Sequence, residues 1–261
     1  MKQVRMGVKP FNEQFIISHL IGKVFEDHGY KFERFIAEPR IECNLEALRE
    51  GTIDFYIEYT GTAYNALLRL DPLDEWEDEE VFKQVEKELE REGFSVITKL
   101  GYRSDFALGM RNEDNGYGKI SDITDISKNL IFSCPPPYVE RQDGLPAIMR
   151  KYGIEFKKVL PLMPDDMYNS LNKKESDVIS AFLTDSRIHQ YNLNLLKDDK
   201  SALPPYEAFI IGKNLDNDTI ELLNSMRNKL SNETIRSMNY KYDFEKMKPE
   251  EIAEHFYNKI F

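Results

Sequence analysis

Cysteine is scarce in this chain: Cys43 and Cys134 stand alone among 261 residues and lie far apart. Two cysteines do not indicate a disulfide framework; two buried free thiols are expected, with one bridge as the alternative. Histidine is nearly as rare. His19, His28, His189 and His255 show no ligand spacing such as H-x-x-x-H, so no metal site is expected. No run of about 18 apolar residues is present, which argues against a bilayer-spanning helix. The opening MKQVRMGV lacks the long apolar stretch of a secretory signal. Lysine and arginine nowhere form a block, and the net charge is −11. A nucleic-acid partner wants a clustered basic surface, so none is expected. A nucleophile–base pair and a phosphate loop are missing too. No catalytic residue and no cofactor are therefore expected.

What is there describes a folded chain. Hydrophobic residues make up 41% and charged residues 31%, the balance of a globular protein. The length allows two lobes, each with its own core. Strand and helix signals alternate. Strands are expected at 4–8, 31–37, 53–57 and 94–98, with helices at 12–28, 43–50 and 78–92. Asn12 reads as a helix cap, and Gly29, Gly51 and Gly93 as helix stops. A second set follows: strands at 106–110, 129–133, 156–160, 178–182, 193–196 and 208–211, helices at 144–152 and 165–173. The last 50 or so residues read as helices at 216–230, 233–239 and 249–259. Alternating strands and helices imply an α/β fold with largely parallel sheets.

The chain carries one internal echo. ALREGTIDFYIEYTGT, from Ala47, resembles SLNKKESDVISAFLTD, from Ser170. Each has a leucine near a helix end (Leu48, Leu171) and an aspartate six residues later (Asp54, Asp177). Each then runs a strand into an aromatic residue (Tyr59, Phe182) with a hydroxyl beyond (Thr60, Thr184). The aspartates are expected to close and brace their turns. Tyr59 and Phe182 are expected at the carboxyl ends of parallel strands, the edge where open α/β sheets bind ligands.

Four segments resemble the substrate-binding proteins of the glycine betaine/choline/carnitine osmoprotectant ABC transporters. VKPFNEQFIISHLIGKVFEDHGY is similar to that family's strand, K-x-F-x-E-Q and helix. LREGTIDFYIEYTGTAY carries its E-Y-T-G-T. ERQDGLPAIMRKYGIEF carries R-x-D-G-x-P. DVISAFLTDSRIHQYNLNLLKDDKSALPPYEA carries T-D-x-R-I, D-D-K and P-P-Y. The resemblance implies a two-lobed, type II periplasmic-binding-protein fold with the ligand cleft between lobes. It implies one lobe from 1–104 plus 208–261 and another from 105–207, with crossovers near 104–106 and 205–206. It also implies an extracytoplasmic monomer, free, lipid-anchored or permease-fused, whose partners are a small methylated amine and a membrane permease.

The resemblance further implies an aromatic cage. A methylated ammonium has no N–H to donate, so ring faces must hold it. By motif, Tyr59, Phe106, Phe182 and Tyr206 fall at cage positions and Thr62 at a nearby hydroxyl. Arg141 falls at the arginine that grips a ligand carboxylate, a task its fork suits. Lys9 falls in the loop lining the same cleft. Arg141 also reads as a surface partner of Glu140 or Asp143, and Lys9 as a solvated loop residue. The sequence departs from the family pattern at a Gly-Gly-Thr-like loop, replaced by Glu38-Pro39-Arg40-Ile41-Glu42. Arg40 and Glu42 are thus candidate specificity contacts, and Ser104 stands where an acidic crossover residue is sometimes found. Two cage tyrosines read as phenylalanine. The expected ligand is glycine betaine, choline or carnitine. A larger betaine such as ergothioneine, or the sensing half of a regulator, is the alternative.

Overall fold

The computed structural model describes residues 2–114 and 116–261. In chain order the elements are β1 (Gln3–Val8), α1 (Asn12–Asp27), β2 (Lys31–Ile36), α2 (Cys43–Glu50), β3 (Phe55–Tyr59) and α3 (Thr60–Thr62). Next come α4 (Asp78–Arg91), β4 (Ser95–Arg103), β5 (Phe106–Arg111), β6 (Ile131–Cys134), α5 (Pro136–Glu140), α6 (Leu145–Tyr152), β7 (Lys158–Pro161), α7 (Pro164–Asn172) and β8 (Val178–Phe182). The chain ends with α8 (Arg187–Gln190), β9 (Leu193–Leu196), β10 (Glu207–Gly212), α9 (Asn217–Asn224), α10 (Asn232–Asp243) and α11 (Pro249–Ile260). Two compact units result. Unit 1 holds Met1–Pro72, Asp78–Ser104 and Tyr206–Phe261; unit 2 holds Leu73–Glu77 and Asp105–Pro205. The short segment 73–77, read above as first-lobe sequence, packs within unit 2. Its Trp76 N–H donates to the Ser201 carbonyl, and Lys151 reaches the Asp74 carbonyl and Glu75.

Each unit is a five-stranded sheet, ordered β2-β1-β3-β10-β4 in unit 1 and β7-β6-β8-β5-β9 in unit 2. The sheets are mixed, not largely parallel as expected. β1 runs parallel to β2 and β3, but β10 runs antiparallel to β3 and β4. β6 runs parallel to β7 and β8, but β5 runs antiparallel to β8 and β9. The reversed strands β10 and β5 are those that follow a passage of the chain from one unit to the other. No crossover helix returns them in the parallel sense.

The echo seen in the sequence is a repeated brace. The Asp54 carboxylate accepts the Arg5 N–H at 2.7 Å, and the Asp54 N–H returns a bond to the Arg5 carbonyl at 2.8 Å. The Asp177 carboxylate accepts the Ile131 N–H at 2.9 Å, and its own N–H returns to the Ile131 carbonyl at 2.8 Å. Each aspartate also receives an arginine, Arg5 and Arg111 respectively. A carboxylate that accepts a charged fork and a backbone N–H pins the start of one strand to its neighbour.

Unit 1 buries one face of α1 (Ile16, Ile17, Leu20, Ile21, Val24, Phe25), and the Phe25, Phe32 and Phe55 rings lie 5.7–6.4 Å apart. Each such side chain contributes about 1.5–3 kcal/mol on burial. Asn12 does not cap this helix; it is the first helical residue, and its amide donates to Asp243. The expected helix over 216–230 stops at Asn224 because the chain beyond it joins β4: the Asn228 and Leu230 N–H groups donate to the Lys99 and Leu100 carbonyls. In unit 2, Phe132 stacks on Phe156 at 4.7 Å within a core that includes Ile148 and Tyr152. The D-D-K segment is a loop staple. The Asp198 carboxylate takes the Tyr152 hydroxyl at 2.5 Å and the Ala202 and Leu203 N–H groups. Cys134 is buried as expected, whereas Cys43 is half-buried; both are free.

Candidate functional site

Tyr59 ends β3 and is buried, 5% exposed. Its hydroxyl accepts from Gln14 Nε2 at 2.8 Å, donates to Glu13 at 2.5 Å, and lies 3.1 Å from the Tyr102 hydroxyl. Burial, then the charge of Glu13, holds both phenols well above their ordinary pKa. They stay neutral donors at any physiological pH. The next residue back, Glu58, is fully buried and accepts from the Tyr59 N–H and from Lys9 Nζ at 2.7 Å. Lys9 is therefore not a solvated loop residue. Its side chain is 12% exposed and its ammonium stands 5.9 Å from the Tyr59 ring centre. Burying this pair is tolerable because the charges meet directly and the backbone adds a further bond.

Thr62 is half-buried in α3, directly after Tyr59. Thr60 beside it accepts the Glu207 N–H at 3.0 Å, and the Ser104 N–H donates to the Tyr206 carbonyl at 2.9 Å. Tyr206 is buried, 9% exposed. Unit 1 thus gathers Lys9, Tyr59, Thr62, Ser104 and Tyr206 around the ends of β3, β4 and β10. Arg40 and Glu42 are elsewhere engaged. They lie exposed before α2, with Arg40 forked onto Glu46 at 2.5 and 3.1 Å and 3.8 Å from Glu42.

Unit 2 encloses a cavity of 320 Å³. Phe106, Tyr138, Arg141, Tyr168, Phe182 and Arg187 are among its lining residues. The sheet explains the first contact. Phe106 on β5 is the direct ladder partner of Phe182 on β8, so both rings project from one face, with centroids 4.5 Å apart. Tyr138, from α5, adds a ring 5.0 Å from Phe106. Arg141 lies 5.4 Å from the Phe106 ring and forks Asp143 at 2.6 and 2.8 Å. The glycine of R-x-D-G-x-P has a steric reason: a Cβ on Gly144 would stand 2.5 Å from the Tyr138 carbonyl.

Sequence reasoning missed the far side of this cavity. Arg187 lies 5.4 Å from the Tyr168 ring and pairs with Asp165 and Asp185. Burial opposes its charge, but the two carboxylates outweigh that and raise its pKa. The Tyr168 hydroxyl donates to Asp185 at 2.9 Å, and burial, then Asp185, raises the phenol. The signal was present, since Asp185 and Arg187 are the polar letters of T-D-x-R-I. In unit 1, Glu13 is likewise the acid of K-x-F-x-E-Q. Among the described residues, no cluster of histidine, cysteine and carboxylates could hold a metal, and no helix is long and apolar enough to cross a membrane.

The family model described as the substrate binding domain of ABC-type glycine betaine transport system matches residues 2–259. The chain belongs to this family. A relative in Helicobacter pylori strain G27, the ergothioneine transport permease/ergothioneine binding protein EgtU, is 27% identical over 99% of this chain and 48% of its own length. The chain thus spans about half of that relative. The carnitine transport binding protein OpuCC of Listeria monocytogenes is 28% identical over 98% of this chain and 86% of its own length. A crystal structure of a glycine betaine/carnitine/choline ABC transporter protein superposes with a TM-score of 0.91, covering 98% of both chains at 24% identity. This establishes the family's fold, an α/β protein of the type II periplasmic-binding class, for the present chain.

Proposed function

We propose that this chain is the ligand-capturing component of an ABC importer and binds a quaternary-ammonium zwitterion or cation. Its contacts are Tyr59, Thr62, Lys9, Ser104 and Tyr206 from unit 1 and Phe106, Phe182 and Arg141 from unit 2. Arg40 and Glu42 are proposed as outer specificity contacts. The observation that carries the reading is the aromatic lining of the unit 2 cavity with Arg141 beside it, in a chain of this family. Ring faces attract a cation that has no hydrogen to donate, at roughly 0.5–2 kcal/mol per face. Lysine and arginine serve the opposite end of a zwitterion. Lys9 has three donors, and the Glu58 carboxylate uses one of them.

Carnitine and ergothioneine, named in the relatives, share a trimethylated ammonium and a carboxylate. Both ends have a counterpart among the residues above. The loaded protein hands its ligand to a membrane permease on the outer face of the membrane. It works as a monomer without catalysis, cofactor or nucleic acid. Titration calorimetry against glycine betaine, choline, carnitine and ergothioneine tests this. At least one is expected to bind one-to-one. The Tyr59→Ala, Tyr206→Ala double variant is expected to lose tenfold or more, which takes about 1.4 kcal/mol. A parent chain that binds none of the four overturns the reading.

A further inference from the structure

Behind the Tyr59 ring sits a buried acid that the proposed function leaves without a task. Glu13 is 4% exposed and lies in the first turn of α1. That position puts its carboxyl beside the partial positive charge of the helix N-terminus. The Tyr59 oxygen already accepts from the Gln14 amide at 2.8 Å. Its own proton is thereby directed to Glu13, 2.5 Å away. The Tyr102 hydroxyl closes the group at 3.1 Å from that of Tyr59.

We propose that Glu13 is a positioning residue that, as a carboxylate, strengthens the attraction of the Tyr59 ring for a quaternary ammonium; this rests on the function proposed above. A phenol donating to a carboxylate shifts electron density toward its oxygen and ring. The negative ring face that a cation feels becomes deeper. The carboxylate also adds its own field, weakly screened in a buried setting. Glu58, the other buried acid at this strand end, has its charge balanced directly by Lys9. Glu13 takes the Tyr59 hydroxyl directly at 2.5 Å, so its charge reaches the ring through that bond.

Glu13→Gln tests this, because it keeps the shape and an acceptor but removes the charge. The probes are two matched pairs. Glycine betaine is compared with 3,3-dimethylbutanoate, and choline with 3,3-dimethylbutan-1-ol, in which carbon replaces the charged nitrogen. The variant is expected to bind glycine betaine or choline three- to tenfold more weakly, and the matching carbon analogue no more than about twofold more weakly than the parent does. Tyr59→Phe is expected to lose the same selectivity, and the double variant no more than either single one. A purely structural role would weaken the ammonium probes and their carbon analogues alike, and that result overturns the inference. So does an unchanged affinity for the cation. Where the carbon analogue binds too weakly to titrate, or Glu13→Gln does not fold alone, the Tyr59→Phe background decides. Equal loss from Glu13→Gln with and without the Tyr59 hydroxyl, or full cation affinity in Tyr59→Phe, overturns the inference. A parent that binds no quaternary ammonium sinks the underlying function as well, which distinguishes the two failures.

Discussion

Phe182 stands directly opposite Phe106 in the antiparallel ladder of the second sheet, and the two ring centroids are 4.5 Å apart. In the first sheet the equivalent partner of Tyr59 is Ala208, which has no ring to offer. The two strand ends that echo one another in sequence therefore present different surfaces. One is a phenol anchored by polar neighbours. The other is a close, tilted and purely apolar pair of rings.

Phe182 is 42% exposed, so little of the unit 2 core depends on it. Phe182→Ala is expected to leave the thermal midpoint within a few degrees of the parent. It is also expected to weaken cation binding by on the order of three- to tenfold, the loss of one ring face. Calorimetry and a thermal melt on the same sample separate the two effects. An unchanged affinity would remove Phe182 from the proposed contacts.

Gly101 lies in β4 at φ +96°, where an added Cβ would meet the Leu230 carbonyl at 2.6 Å and the Asn228 Cα at 2.7 Å. Both neighbours are backbone, so neither can rotate away. Gly101→Ala is expected to destabilise unit 1 by at least about 2 kcal/mol, combining left-handed strain with the clash. Urea unfolding measures this, and a loss below about 0.5 kcal/mol would contradict the close approach.

Asp216 caps α9 by accepting the Thr219 N–H at 2.9 Å, and Lys2 stands 3.2 Å from its carboxylate. The Thr219 bond, with a smaller contribution from Lys2, holds its pKa below the ordinary value. A depressed carboxylate stabilises the fold above its unfolded pKa, and that contribution disappears as pH falls through the folded value. Asp216→Ala is expected to cost about 1 kcal/mol near neutrality. The gap between parent and variant should narrow as the pH falls below about 4, the ordinary aspartate value. A gap that stays constant to pH 2 would show that the charge plays no part.

Much of the scaffold was legible because its signals are local. Cys43–Glu50 ends at Gly51, which adopts φ +76° as the cap requires. Val178–Phe182 and Leu193–Leu196 are strands over the spans that their apolar runs predict. The paired aspartates were readable as turn braces because each sits between a helix end and a strand. What escaped depends on partners distant in sequence. The Asn12 amide is claimed by Asp243, more than two hundred residues on. The stretch after Asn224 trades helical bonds for bonds to β4. Tyr168 and Arg187 become neighbours only when α7 and α8 come together beside β8. Their lining of one cavity is a tertiary fact that no periodicity announces.

The place of β10 between β3 and β4 also bears on how the chain comes into being. A ribosome delivers β3 and β4 early, but the strand that fills the gap between them starts at Glu207. Unit 2 has its whole sequence by Pro205. It can therefore finish first, while unit 1 waits with two unpaired strand edges open to wrong partners. A nascent chain stalled before Glu207 would carry one finished half and one sticky one, and completing the first sheet waits on the strand that starts there.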